Sequence, residues 1–187
     1  MICYLVRHGK DDETVRGGWS ETMLCEEGVA QVKDLAKYID HCNIGYIYSS
    51  DLMRTKQTAD ILNENLNVEI CDLPQFREVN NGVLAGMKND VALVQYPGLF
   101  WSTLDWEEAY PEGESPKQFF ERVCKAWFEF KKEIAGLPYD VVLVTHGGVI
   151  NVIQCVEHGV DYTNKRNQFP VVYAHMVLIE IKEEESF

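Results

Sequence analysis

Positive charge is what this chain has least of. Lys and Arg number 17 against 30 Asp and Glu, a formal net charge of −13 over 187 residues. A surface of that sign repels nucleic acid, acidic membranes and phosphorylated metabolites alike. Neither nucleic acid nor membrane is an expected partner, and any anion site must be a local concentration of cations. Long apolar runs are missing too: none approaches the roughly 20 residues that span a bilayer, and Arg7 arrives too early for a signal peptide. A soluble chain in the cytoplasm is the expectation. The six cysteines (Cys3, Cys25, Cys42, Cys71, Cys124 and Cys155) include no Cys-x-x-Cys pair. Zinc spacing is thereby excluded, and in an intracellular chain the thiols are expected to be reduced and structural, neither bridged nor catalytic. Internal repeats and low-complexity segments are also absent.

What is present is an ordinary globular composition, 46% hydrophobic and 25% charged. The length suits one α/β core and is too short for two. The most informative stretch is Leu5-Val6-Arg7-His8-Gly9, in which an apolar run over 2–6 predicts a short buried strand with Arg7 and His8 at its end. Chemistry in open α/β sheets gathers at such strand ends. A cation beside an imidazole, followed by a glycine that lets a ligand approach the backbone, suits an anionic substrate and a nucleophilic nitrogen. The arrangement recurs where Val141-Val142-Leu143-Val144 runs into Thr145-His146-Gly147-Gly148. If the two strands are neighbours, both imidazoles stand over one crevice.

Further along, apolar spacing predicts a helix over 28–39, a strand over 44–48, and a helix from Ser49-Ser50-Asp51, read as its N-cap chemistry, to about 66. Arg54 falls in the first turn of that helix, where a cation opposes the helix dipole and calls for an anion nearby. A carboxylate such as Asp51 or Glu78 is the bland candidate for that anion. A third strand is expected over 68–71. The pattern then breaks down over 85–114, a lid or insertion whose aromatics, Trp101 and Trp106 among them, either line a pocket or pack onto the domain. Ser115-Pro116-Lys117-Gln118 resembles a capping box with proline at the first helical position, opening a helix to about 135. After the 141 strand come a helix over about 149–158, whose free N-terminal N–H groups beside His146 make an anion site, and one or two closing strands over 171–181. An acidic, frayed tail is expected over 182–187. His41, His158 and His175 have no motif around them and read as structural or surface residues.

The Arg7-His8-Gly9 stretch, Ser49-Ser50-Asp51-Leu52-Met53-Arg54-Thr55, Phe76-Arg77-Glu78 with Gly82 and Gly86, Gly113-Glu114-Ser115, and Val144-Thr145-His146-Gly147-Gly148 stand in an order that resembles the phosphoglycerate mutase-like branch of the histidine phosphatase superfamily. The resemblance spans nearly the whole chain. It implies a three-layer α/β/α fold around a mostly parallel sheet, a single domain over 1–187 with the insertion at about 85–114. It implies a phosphoric monoester hydrolase of the histidine acid phosphatase type that takes a small phosphorylated metabolite, such as a sugar phosphate or α-ribazole phosphate. His8 would attack phosphorus and become a phosphohistidine. Arg7, Arg54, His146 and the Gly147 backbone would hold the phosphoryl oxygens, and Glu78 would protonate the leaving group and then activate water. No metal or other cofactor is expected, because arginines and histidines supply the charge. The compact length favours a phosphatase over a mutase-type phosphotransferase, and a non-catalytic phosphate-binding module has no use for Glu78. A homodimer is left open. One departure stands out. The family usually has a Thr after Arg-His-Gly-x and a phosphate-contacting Asn a few residues later, whereas this chain has Lys10-Asp11-Asp12-Glu13-Thr14, leaving Thr14 or Arg16 to replace the amide.

Overall fold

In the first strand, β1 (Ile2–Arg7), residues 3 to 6 are buried whichever way their side chains point. Cys3 and Leu5 face one layer and Tyr4 and Val6 the other, which is what a strand covered on both sides demands of its sequence. The computed structural model describes residues 1–182, so the expected acidic tail lies, beyond Lys182, outside the described residues. After β1 follow α1 (Glu26–Ile39), β2 (Ile44–Ser49), α2 (Met53–Leu66), β3 (Glu69–Asp72), α3 (Asn89–Gln95), α4 (Pro116–Ile134), β4 (Asp140–Thr145), α5 (Gly147–His158) and β5 (Met176–Glu180). The sheet order is β3-β2-β4-β1-β5; the first four strands are parallel and β5 runs antiparallel along β1. Of the one or two closing strands expected over 171–181, one forms, β5.

Helices α1 and α2 cover one face with Val32, Leu35, Ile39, Ala59 and Leu62, packed on Tyr4, Val6, Val142 and Val144. Helices α4 and α5 cover the other with Phe119, Val123, Trp127, Phe130, Val149 and Ile153, packed on Cys3, Leu5, Val141 and Leu143. Each fully buried side chain of this size contributes about 1.5–3 kcal/mol, so these two layers hold the sheet and fix the strand ends above it. Helix α1 starts at Glu26, with two glutamates in its first turn where the dipole favours them. The capping box of α4 forms as expected, Ser115 and Gln118 bonding each other's backbone and Pro116 opening the helix. All six cysteines are free; Cys3 and Cys155 are buried, and burial pushes both thiols up, away from the nucleophilic thiolate. Among the described residues no helix is long and apolar enough to cross a membrane.

The insertion is not structureless. It contains α3 and a small core of Leu84, Ala92, Leu104 and Tyr110. Trp101 stacks on Tyr110 with ring centroids 6.0 Å apart and meets Phe119 of α4 edge-on at 5.5 Å. Trp106 leans on Phe120 and Tyr162 and is 40% exposed. The seven residues of α3 are too few and too mixed in polarity to show a helical period in the sequence.

Candidate active site

Strands β1 and β4 are parallel neighbours in register from Cys3 opposite Val141 to Arg7 opposite Thr145. The backbone N–H of His8 then donates to Thr145 O at 3.0 Å. This register carries His8 and His146 off adjacent strand ends and brings their rings to 5.1 Å, 61° apart in plane. Both are buried. Gly9 lets the chain turn away tightly: a Cβ there would lie 2.6 Å from Gly28 O on α1.

The His8 ring has a fixed polarity. Its Nδ1 lies 2.7 Å from Gly9 O, and a carbonyl only accepts, so Nδ1 carries the proton. The lone pair of the neutral ring is then on Nε2, which accepts from Arg54 Nε at 3.3 Å. Burial first, then the Arg54 charge, holds the His8 pKa well below the ordinary imidazole value. His146 is displaced the same way, again by burial first and the Arg54 charge second. Its Nε2 meets Ser50 Oγ at 3.0 Å, while its Nδ1 is buried without a partner among the described residues. Arg7 Nε is the second such atom in the site. A buried polar atom left unpaired costs about 1–3 kcal/mol, and two of them around one crevice suit the binding of an anion.

Arg7 is held by a bond from Nη1 to Val171 O at 2.6 Å and by the Tyr173 ring, 3.8 Å from its guanidinium carbon. Arg54, 2% exposed, does not pair with Asp51 or Glu78. Asp51 is taken by Arg77 in a two-pronged ion pair. The anion beside Arg54 is Asp11, whose Oδ2 lies 3.5 Å from Arg54 Nε and accepts from Thr22 Oγ1 at 2.8 Å. Arg54 Nη1 and Nη2 donate to Ser20 O and Gly18 O, so much of its fork is engaged by the loop over 17–22. Nor do Ser49-Ser50-Asp51 cap α2. Its N-cap is Leu52 with no side-chain bond, because Ser50 serves His146 and Asp51 serves Arg77.

Glu78 reaches the site from the segment after β3. The buried Phe76 anchors that segment, its carbonyl accepting from Thr145 Oγ1 at 2.8 Å. The Glu78 backbone carbonyl is gripped by Trp19 Nε1 at 2.7 Å and Arg122 Nη2 at 3.2 Å. Its carboxylate accepts from Gly148 N at 3.1 Å and Val79 N at 3.2 Å. The N-terminus of α5, which begins at Gly147 and not near 149, is therefore partly occupied by Glu78 and is not wholly free for a ligand. A Cβ at Gly148 would come within 2.4 Å of Glu78 Oε1, whereas at Gly147 it would sit 3.4 Å from Arg7 Nε. The site thus unites Arg7, His8, Arg54, Glu78, His146 and Gly147. Of Asp11, Asp12 and Glu114, it is Asp11 that stands beside Arg54: Asp12 accepts from Thr14, and Glu114 is locked to Arg122. Of the two residues that could replace the missing amide, Thr14 donates its hydroxyl to Asp12, and the Arg16 guanidinium lies over Phe100. Ser50, Tyr173 and the inward turn of Asp11 are not legible as site features from sequence spacing. Among the described residues no group of three His, Cys, Asp or Glu side chains gathers as a metal site.

Comparison with known proteins points one way. The sequence model of the histidine phosphatase superfamily (branch 1) matches residues 3–187. A Schizosaccharomyces pombe protein named "Probable phosphatase C1687.21" is 29% identical, the match covering 99% of this chain and 88% of that one. Phosphoserine phosphatase 1 of Hydrogenobacter thermophilus is 30% identical, covering 84% of this chain and 76% of that one. In fold, the chain superposes on the α-ribazole phosphatase of Shigella flexneri with a TM-score of 0.83 over 96% of this chain and 90% of that one, at 21% identity.

Proposed function

The chain belongs to the histidine phosphatase superfamily, branch 1, and from that premise we propose that this phosphatase hydrolyses a small phosphomonoester through a phosphohistidine on His8, without a metal. The observation that carries the reading is the Nδ1–H bond of His8 to Gly9 O, which leaves the Nε2 lone pair as the nucleophile. In the first step Nε2 attacks phosphorus, the bond from phosphorus to the ester oxygen breaks, and Glu78 passes its proton to the departing oxygen. In the second step the Glu78 carboxylate takes a proton from water as that oxygen attacks phosphorus, the Nε2–P bond breaks, and inorganic phosphate leaves.

The remaining residues supply charge. Arg7 Nε and His146 Nδ1, both buried and unpartnered, are donors suited to the equatorial oxygens once Ser50 donates to His146 Nε2 and leaves the proton on Nδ1. Arg54 lies against the attacking nitrogen and can follow the phosphoryl group across. The reduced pKa of His8 keeps its lone pair available at and below neutral pH. Phosphoserine and α-ribazole phosphate, named for two of the similar proteins, mark the size of alcohol to be tested first.

The experiment is to trap the phosphoenzyme from labelled substrate and map the label. Acid-labile label on the peptide containing His8, absent in His8→Ala and present in His158→Ala, is expected, with turnover of p-nitrophenyl phosphate retained in excess EDTA. Label on a serine, cysteine or aspartate would remove His8 from its role. Activity lost to chelation and restored by a divalent ion would remove the metal-free mechanism.

A further inference from the structure

Beside Gly148 lies a cavity of about 310 Å³, walled by Trp101 of the insertion, Asn151 of α5 and the loop over 162–167. Its volume is at the lower end of the range for small-molecule sites. Gly148, one of its walls, donates its backbone N–H to Glu78 Oε2, which places the cavity on the leaving-group side of the proposed chemistry.

The walls are braced. Asn164, 6% exposed, donates from Nδ2 to Trp101 O and Leu104 O, so the loop is tied to the insertion. Asn151 Oδ1 accepts from Gln168 N and Phe169 N, so the far end of the loop is tied to α5. Such a frame holds its side chains at set positions. The braced loop carries two adjacent cations, Lys165 and Arg166, in a chain with a net charge of −13. Lys165 Nζ leans on Leu104 O. Arg166 is exposed and takes no part in the arginine ion pairs of the described residues, which engage Arg54, Arg77 and Arg122. An arginine with its fork open in a braced pocket suits a planar carboxylate or a phosphate.

We propose that this pocket binds a second anionic group, a carboxylate or a second phosphate, on the alcohol portion of the substrate. The phosphoryl group occupies the histidine site, the ester oxygen faces Glu78, and a short carbon chain along Trp101 and Tyr162 carries the second charge to Arg166 and Lys165. This assignment rests on the reading of His8 as nucleophile and Glu78 as acid.

The test compares three phosphomonoesters of one length: n-propyl phosphate, its analogue with a terminal carboxylate, and propane-1,3-diol bisphosphate. Each is assayed for kcat/KM with the wild type, Arg166→Ala, Lys165→Ala/Arg166→Ala, Arg166→Glu, and Lys132→Ala as a remote loss of one positive charge. A charge-assisted contact supports a preference of about ten- to a hundred-fold for at least one ester bearing the second anionic group over n-propyl phosphate. The double variant should bring that ratio within about threefold of one, chiefly through KM. Arg166→Glu should take it below one, and Lys132→Ala should leave it in place. Which anion is preferred identifies the source of the charge. A wild-type ratio near one, or a preference that survives the double variant, overturns the assignment. Should none of the three esters be hydrolysed, the catalytic reading has failed; calorimetric binding of the same esters to the same variants then decides the pocket, and equal affinities for all three overturn it.

Discussion

Replacing Asp11 by asparagine should make the protein bind phosphate more tightly. Asp11 Oδ2 lies 3.5 Å and His8 Nε2 3.3 Å from Arg54 Nε, so a phosphoryl group poised at Nε2 shares Arg54 with a nearby carboxylate. With an effective dielectric constant of about 20, two unit charges at a separation of roughly 6 Å repel by about 3 kcal/mol, a hundredfold in affinity. Salt and the residual exposure of Asp11, 10% of its side chain, reduce the effect, so a gain of about 10- to 100-fold is expected. The asparagine oxygen still accepts from Thr22 Oγ1, which preserves the loop and isolates the charge. The assay is competitive inhibition by inorganic phosphate and vanadate, with calorimetric titration of phosphate as an independent reading. Asp11→Thr should move the same way. Because product clings more tightly, release should slow and a burst of the first turnover should appear in Asp11→Asn. Inhibition constants unchanged within twofold, or weaker, would refute the reasoning and mean that Asp11 swings away from the anion.

Acid should destabilise the fold through the two histidines. The unfolded chain protonates both below about pH 6.5 while the folded chain, with both pKa values lowered, does not, so stability is lost as pH falls through 6.5. From pH 7.5 to 5.5 each histidine should cost about 1.4 kcal/mol in urea unfolding, and His8→Asn should remove about half of the joint loss; an unchanged acid slope in that variant would contradict the assignment. Glu78→Gln should slow phosphoenzyme formation from alkyl phosphates by about 10²–10⁴-fold in single-turnover kinetics and far less from p-nitrophenyl phosphate, and equal slowing would make Glu78 a positioning residue. Trp101→Ala should cost about 2–4 kcal/mol, because its ring stacks on Tyr110 and meets Phe119 edge-on. Calorimetry should show a Tm drop of several degrees, and an unchanged Tm would show that the ring is not packing the insertion.

The strand ends at His8 and His146 were legible because each follows an apolar run, and burial on both faces leaves such a run little else to become. The capping box at Ser115 was legible because its partners are three residues apart. Ser49-Ser50-Asp51 misled for the opposite reason. Local capping chemistry lost to partners 96 and 26 residues away, His146 for Ser50 and Arg77 for Asp51. The partner of Arg54 was hidden in the same way. Asp11 pairs with it across a loop whose carbonyls at Gly18 and Ser20 hold the guanidinium, and no spacing rule encodes that closure. Glu78 was found through its motif alone, since its bond to Gly148 N spans 70 residues.

The placement of β1 between β4 and β5 has a consequence for how the protein is made. Ile2–Arg7 pairs with Asp140–Thr145 and Met176–Glu180, and the Ile2 N–H donates to the Asp140 carboxylate 138 residues later in sequence. An apolar strand with two open edges must wait for the segments that will flank it. Such a topology folds slowly and exposes the nascent chain to aggregation. It also makes the two histidines a test of completeness: a chain arrested before β4 carries His8 without His146, so a truncated product cannot form the pair.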